Sequence, residues 1–327
     1  MKKTICFALA ICIVFLLASC SHCDHLDSDR DELCDKCGKN YIVAFQNEDP
    51  KYSEGLEFAS WDDGSCELSG RGTCTDTEIV IPPVSPEGDK VVSISGKAFS
   101  NRDKCEDIRS ISIPDSVQEI TAGAFKGCVY LKRIKIPFVG LYNGVQGAGS
   151  HFGMIFGLLQ DPDLDNKFNL SGLSHYTAGT KTYHFAIPQT LETVVISDFC
   201  TGIGDKAFLN CTYIKNVEIS KGIRSIGSAA FRNCSSIENI AIPSSVTSIG
   251  STAFMNCSSI KSITIPSSVM SIGASAFNNS GLSKVTFNGS NDWKTGDTIL
   301  SADELSDPST AASYLGFVHV YSDWTRE

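Results

Sequence analysis

Between Ile214 and Phe277 the chain writes one phrase three times, and the distance between copies does not vary. IKNVEISKGIRSIGSAAFRNCSS is followed by IENIAIPSSVTSIGSTAFMNCSS and IKSITIPSSVMSIGASAFNNSG, so Phe208, Phe231, Phe254 and Phe277 stand 23 residues apart, as do Ile226, Ile249 and Ile272. A short, constant period predicts a solenoid: each unit is too small to bury its own apolar side and can do so only against its neighbours.

Inside one unit two spacings alternate. Ile240 and Ile242 are two residues apart and share one face of a short strand, with Asn239 and Ala241 facing the other way. Pro243 cannot donate to a ladder and ends the strand. The apolar spacing then widens through Val246, Ile249, Ala253 and Phe254, which predicts a tight helical or 3₁₀ return, with Gly250 and Ser244–Ser245 at the corners. Counting by register places strands at 79–81, 111–113, 134–136, 194–196, 217–219, 240–242, 263–265 and 285–287.

The unit IxxIxIPxSVxSIGxxAFxxC resembles the leucine-rich repeat (type 5) of BspA-like bacterial surface proteins, over roughly two thirds of the chain. That resemblance implies an α/β repeat solenoid: a right-handed leucine-rich-repeat coil with a parallel β-sheet of about eight short strands and a cap at each end. It also implies a surface-displayed protein that binds host matrix proteins, host cells or neighbouring bacteria. The alternative is an envelope spacer without a specific ligand.

The N-terminal region has its own chemistry. Lys2 and Lys3 precede an apolar run, Ile5 to Leu17, that is too short for a membrane span and reads as an export signal over residues 1–19. Leu17-Ala18-Ser19-Cys20 resembles a bacterial lipobox, which implies acyl chains on Cys20 and a tether to the cell envelope, at the outer membrane or cell surface, without a spanning helix. In the segment 20–40, Cys23, His25, Cys34 and Cys37 have spacings that let four soft ligands converge on a structural zinc. Two disulfides or an acidic spacer remain open there. Asp27, Asp29 and Asp31 open like a calcium loop, but no Gly follows Asp31 and position twelve is Gly38.

Fourteen Cys in a chain with an export signal would suggest disulfides. Four of them argue otherwise: Cys128, Cys211, Cys234 and Cys257 each follow the repeat Phe by three residues and read as a buried column, ended by Arg102 and Ser280. Cys66 and Cys74 are the disulfide candidates, and Cys105 and Cys200 have no assigned role. The Asn-x-Ser/Thr triplets at Asn210, Asn233 and Asn256 fall at one repeat position, where Asn is expected to make a turn.

Residues 41–78 read as an N-terminal β cap, with the turn signal Asp62-Asp63-Gly64-Ser65 between two short strands. The solenoid spans 79–287. Its third and fourth strands are 60 residues apart, so an insertion of about 37 residues lies within 138–183. It is rich in Gly and aromatics, and both a structural role and a ligand loop are open. Residues 288–327 read as a C-terminal cap, with a helix start at Ser301 and Glu304 and a strand-like run from Gly316 to Tyr321.

Catalytic signatures are missing: there is no GxSxG, P-loop, HExxH or GxGxxG, and the six His are scattered, so no enzymatic activity is expected. A net charge of −10 without a basic patch excludes nucleic acid as a natural partner. What is left is surface. The expected binding residues are Tyr142, Phe152, Phe156 and Tyr176 in the insertion, and Arg133, Lys135, Asn216, Glu218, Asn239 and Thr264 on the strands, in a molecule expected to be a monomer.

Overall fold

The computed structural model describes residues 51–144, 147–158, 174–178, 181–185, 187–318 and 321–326, and the body is the unit Tyr52–Glu327. It is a β-solenoid built on two parallel ladders. Six front strands, Glu78–Val80, Ser110–Ser112, Arg133–Ile136, Thr193–Ile196, Asn216–Glu218 and Asn239–Ile240, pair in chain order. Two more, Ser262–Ile265 and Lys284–Phe287, pair in parallel with each other. All eight lie where register places them, starting one residue earlier.

The return half of each coil differs from expectation. It is a run of turns around a second, two-residue strand, with little helix. Ser225–Ile226, Ser248–Ile249 and Ser271–Ile272 pair in parallel to form a back ladder. At the N-terminal end Ser65–Gly70, Lys90–Ile94 and Glu119–Ile120 do the same. A return of some ten residues cannot repay helix nucleation with internal bonds, whereas a bond to the next coil is available at every turn. Gly250 N donates to Ile226 O at 2.8 Å and Phe231 N to Ala253 O at 2.8 Å, and the pattern recurs from coil to coil.

Two corners per coil require a left-handed backbone. Asn210, Asn233, Asn256 and Asn279 all have φ between 54° and 63°. Asn tolerates that conformation, and its amide adds a ladder: Asn233 Nδ2 donates to Asn210 Oδ1 at 2.6 Å and Asn256 Nδ2 to Asn233 Oδ1 at 2.7 Å. These Asn therefore serve as turns, as their position suggested. The second left-handed position is held by Lys206, Ala229, Thr252 and Ser275, with φ between 55° and 58°. Gly250 is not left-handed and is kept small by space alone: a Cβ there would lie 2.5 Å from Ser228 N.

Between the two ladders runs a file of rings. Phe208–Phe231, Phe231–Phe254 and Phe254–Phe277 stack with centroids 5.1, 5.3 and 5.1 Å apart, and all four are buried. Fully burying each ring contributes about 1.5–3 kcal/mol, so the file is a major share of what holds coil to coil.

The caps use side chains of different kinds. At the start, Glu57–Ser60 and Ser65–Gly70 form an antiparallel hairpin whose second strand joins the back ladder. Arg71, 8% exposed, grips the Asp107 carboxylate with both Nη atoms and also donates to Asp76 O and Lys104 O. Cys66 and Cys74 do not form the expected disulfide: both are buried free thiols, and Cys66 Sγ donates to Asp89 O at 3.6 Å. The alternation of Ser65–Gly70 turns Cys66 into the core beside Leu68 as a small apolar side chain.

At the far end Trp324–Arg326 pairs antiparallel with Ser271–Ile272 and so closes the back ladder, with Trp293, Trp324 and Phe287 packed together. Ser301 and Glu304 make the reciprocal capping bonds expected of them, but the element that follows is a 3₁₀ turn, Glu304–Ser306. The helix proper is Pro308–Ser313, capped by Asp307. The strand-like run from Gly316 is instead preceded and overlapped by a π turn, Tyr314–Val318. Within it Leu315 is buried in the core, with Tyr314 packed against it, so a helical backbone serves burial as well as a strand would.

Candidate functional site

The front strands alternate inward and outward, and the outward row is the exposed one. Arg133–Ile136 and Ser262–Ile265 both read exposed, buried, exposed, buried. Ile134 and Ile136 go into the core while Arg133 and Lys135 stand in solvent. The insertion does not interrupt this row, because Thr193 pairs directly with Arg133 and Val195 with Lys135, and the 60-residue gap closes in register.

Several expected binding residues come together here. Arg133 Nη1 reaches Glu218 Oε1 at 3.1 Å across the intervening strand. Lys215 Nζ pairs with Glu192 Oε1 at 2.8 Å in the neighbouring coil, an exposed carboxylate beside which the lysine is pushed up from its ordinary pKa. Asn239 Nδ2 donates to Asn216 Oδ1 at 3.0 Å, and Asn216 Nδ2 to Thr193 Oγ1 at 3.5 Å, so three rungs carry a polar ladder. Thr264 is exposed but belongs to the separate pair of strands, opposite Thr286.

At the C-terminal ends of the front strands lies a shallow cleft of about 450 Å³, lined among others by Lys135, Glu218, Asp115, Asp198 and Lys221. The last three were not expected. Their signal was present: Asp115, Asp198 and Lys221 occupy the turn position that is Phe138 in the third coil and Ser244 and Ser267 further on, so charge at this corner belongs to the second, fourth and fifth coils.

The insertion residues separate into three fates. Phe152 and Phe156, expected at the binding surface, are fully buried, and this corrects that assignment. They continue the Phe file, with Phe125–Phe156 at 6.3 Å, Phe152–Phe156 at 5.4 Å and Phe152–Phe208 at 5.0 Å. Their backbone does the same: Phe125 N donates to Ile155 O at 3.0 Å and Phe152 N to Ala207 O at 2.7 Å, the bonds a regular coil would make. Tyr142 is exposed, but on the back ladder, where its hydroxyl donates to Glu119 Oε1 at 3.1 Å and that carboxylate raises its pKa. Tyr176 lies in a hairpin, Ser174–Ala178 with Lys181–Phe185, opposite Tyr183.

His151 is the pin of the insertion. Its Nδ1 accepts from Gly153 N at 2.9 Å and its Nε2 lies 3.0 Å from Leu209 O, which assigns the proton to Nε2. The ring is buried and stacks on Phe185 at 4.5 Å. That ring is positioning a turn, and among the described residues no group of three His, Cys, Asp or Glu is arranged to hold a metal. Cys20, Cys23, His25, Cys34 and Cys37 lie outside the described residues, as does the export signal. No helix among the described residues is long and apolar enough to cross a membrane.

The family comparison agrees with this repeat. The BspA type leucine rich repeat region matches residues 78–142 and 180–296 in six copies. Solved structures that resemble the chain include a leucine-rich repeat protein from Bacteroides ovatus, 20% identical over 72% of this chain and 70% of that one, with a TM-score of 0.29. A leucine rich cell surface protein from Faecalibacterium prausnitzii is 20% identical over 73% and 77%, with a TM-score of 0.31. The leucine rich repeat protein of T. pallidum is 19% identical over 73% and 85%, with a TM-score of 0.30. No curated protein matches. With more than half of its length matched by the repeat, the chain belongs to the BspA-type leucine-rich-repeat family.

Proposed function

We propose that the protein is displayed on the bacterial surface and binds other macromolecules along its front sheet, as an equilibrium adhesin with no covalent step. One observation carries this reading: the outward row Arg133, Lys135, Asn216, Glu218, Asn239 and Thr264 is kept free of the core across successive coils while every ring of the file is sealed. Such a row sums weak polar contacts over an extended partner, and the cleft beside Lys135 and Glu218 gives it a local depression. Host matrix proteins, host cells and neighbouring bacteria are the partners to screen.

The test uses the full chain against immobilised matrix proteins and whole cells. Saturable binding that falls at least tenfold in Arg133→Glu and Lys135→Glu supports the front sheet; saturable binding unchanged by both moves the site elsewhere. A second reading, a spacer without a ligand, is favoured by the mutual pairing of Arg133 with Glu218 and Lys215 with Glu192, which leaves these charges already satisfied. Absence of saturable binding in the whole screen supports the spacer.

The reading includes attachment through a lipid on Cys20 and a structural zinc held by Cys23, His25, Cys34 and Cys37, with the chain acting as a monomer. Loss of acyl labelling in Cys20→Ser tests the first. Elemental analysis of the full chain before and after a chelator tests the second, and a zinc content of zero in both would reject it.

A further inference from the structure

The Cys column is not chemically uniform. Cys105 stands 23 residues before Cys128, one coil away, because the short helix Arg102–Cys105 adds three residues after Phe99 and returns the chain to register. It therefore replaces Arg102 as the column's first member. Ile111 and Ile134, the same distance apart, are paired in the front ladder, so the two thiols are stacked in consecutive coils. Coils in a parallel ladder are about 4.8 Å apart, inside the span a disulfide bridges.

In the regular run each thiol is held by a carbonyl: Cys234 Sγ donates to Phe208 O at 2.9 Å and Cys257 Sγ to Phe231 O at 3.0 Å. Burial there pushes the Cys257 thiol up to about 12, and without thiolate such sulfurs are inert. Cys105 is buried as they are, but its surroundings differ. It lines a cavity of about 170 Å³ with Arg71, Lys97, Lys104, Asn101 and Glu57. Arg71 holds the residue before it, Lys104, through its carbonyl and the residue two after it, Asp107, through its carboxylate.

We propose that Cys105 and Cys128 are a redox-active dithiol, with Cys105 the nucleophile toward a small hydroperoxide entering the cavity and Cys128 the resolving thiol. The order follows from access, since Cys105 and not Cys128 lines the cavity; the adjoining Cys128 thiol lowers the pKa of Cys105, and that same contact is the first cause that raises Cys128. Burial opposes the shift at Cys105, Arg71 and Lys104 support it and Asp107 works against it. Cys105 thiolate attacks the terminal peroxide oxygen; an S–O bond forms, the O–O bond breaks, and the leaving oxygen takes a proton and departs as water or an alcohol. Cys128 sulfur then attacks the sulfenic sulfur, an S–S bond forms, and hydroxide leaves as water with the Cys128 proton. Two thiols and one hydroperoxide give one disulfide, one alcohol or water, and one water.

The full chain is exposed to hydrogen peroxide without denaturant, the peroxide is removed, and the protein is then unfolded, alkylated and mapped as unreduced peptides. The expected result is a Cys105–Cys128 cross-linked peptide lighter by two hydrogens, with Cys234 and Cys257 still alkylatable. In Cys128→Ser, a sulfenic acid on Cys105 should be trapped by dimedone. Both cysteines remaining alkylatable in treated wild-type protein, or a cross-link that forms only when denaturant accompanies the peroxide, would overturn the proposal. The wild-type map decides even where the variant does not fold.

Discussion

From Phe208 to Phe277 every ring of the internal file comes from the same place in the repeat, and each takes a nearly parallel stack on the last, 5 to 12° apart. Between Phe125 and Phe208 the file passes instead through Phe156 and Phe152, four residues apart in one 3₁₀ turn and packed edge-on at 69°. The residue one period before Phe208 is Phe185, and it is displaced from the file onto the His151 ring. The comparison teaches that the solenoid conserves the geometry of burial and the inter-coil bonds, not the residue that supplies them. A foreign segment is admitted if it presents one ring upward, one downward and the carbonyls between.

The strongest way to break that equivalence is to remove a ring from each region. Phe254→Ala should cost about 3–5 kcal/mol in urea unfolding, and Phe152→Ala, in what sequence places in a loop, should cost the same. A loop ring would cost within about 0.5 kcal/mol. Next is His151→Ala, which takes away the acceptor of Gly153 N in a buried site; a loss of about 1–3 kcal/mol is expected, with the Phe208–Phe277 run keeping its protection from exchange.

Acid should separate the caps from the repeats. Among the described residues the lowered carboxylates are Asp63, Glu304 and Asp307 in the caps and Asp107, which holds Arg71 of the N-terminal cap to the solenoid; each is kept below its ordinary range first by a hydrogen bond, from Ser65, Ser301, Ser309 and Arg71 respectively. A depressed folded pKa gives stability that is present above the unfolded value, about 4, and is lost as pH falls through the folded one, about 2 for Asp307. All three Trp, Trp61, Trp293 and Trp324, lie in the caps. Tryptophan fluorescence should therefore change at higher pH than the far-ultraviolet dichroism of the coils. The smallest effect belongs to the front sheet: Glu218→Ala breaks a half-exposed pair with Arg133 and should cost less than about 1 kcal/mol in unfolding.

Much of this was legible in the period. Eight strands, the Asn corner and the Phe file from 208 to 277 follow from residues repeating in phase. What was not legible has physical causes. Two-residue back strands such as Ser248–Ile249 leave no alternation to read. Cys105 is hidden because four helical residues after Phe99 shift the count by three. Phe152 and Phe156 look like exposed aromatics because nothing in a Gly-rich stretch tells which coil will accept it. In the C-terminal cap, Leu315 is buried whether the backbone is strand or π turn, so the pattern could not choose.

Amide exchange at single residues tests the substitution of the 151–156 turn for a regular return most directly. Phe125 N and Phe152 N bond to Ile155 O and Ala207 O at 3.0 and 2.7 Å, as Phe208 N and Phe231 N bond to Ala230 O and Ala253 O at 2.7 and 2.8 Å. The account predicts that all four amides exchange together, with the slow rates of core structure. Protection at Phe208 and Phe231 beside loop-like exchange at Phe125 and Phe152 would contradict it.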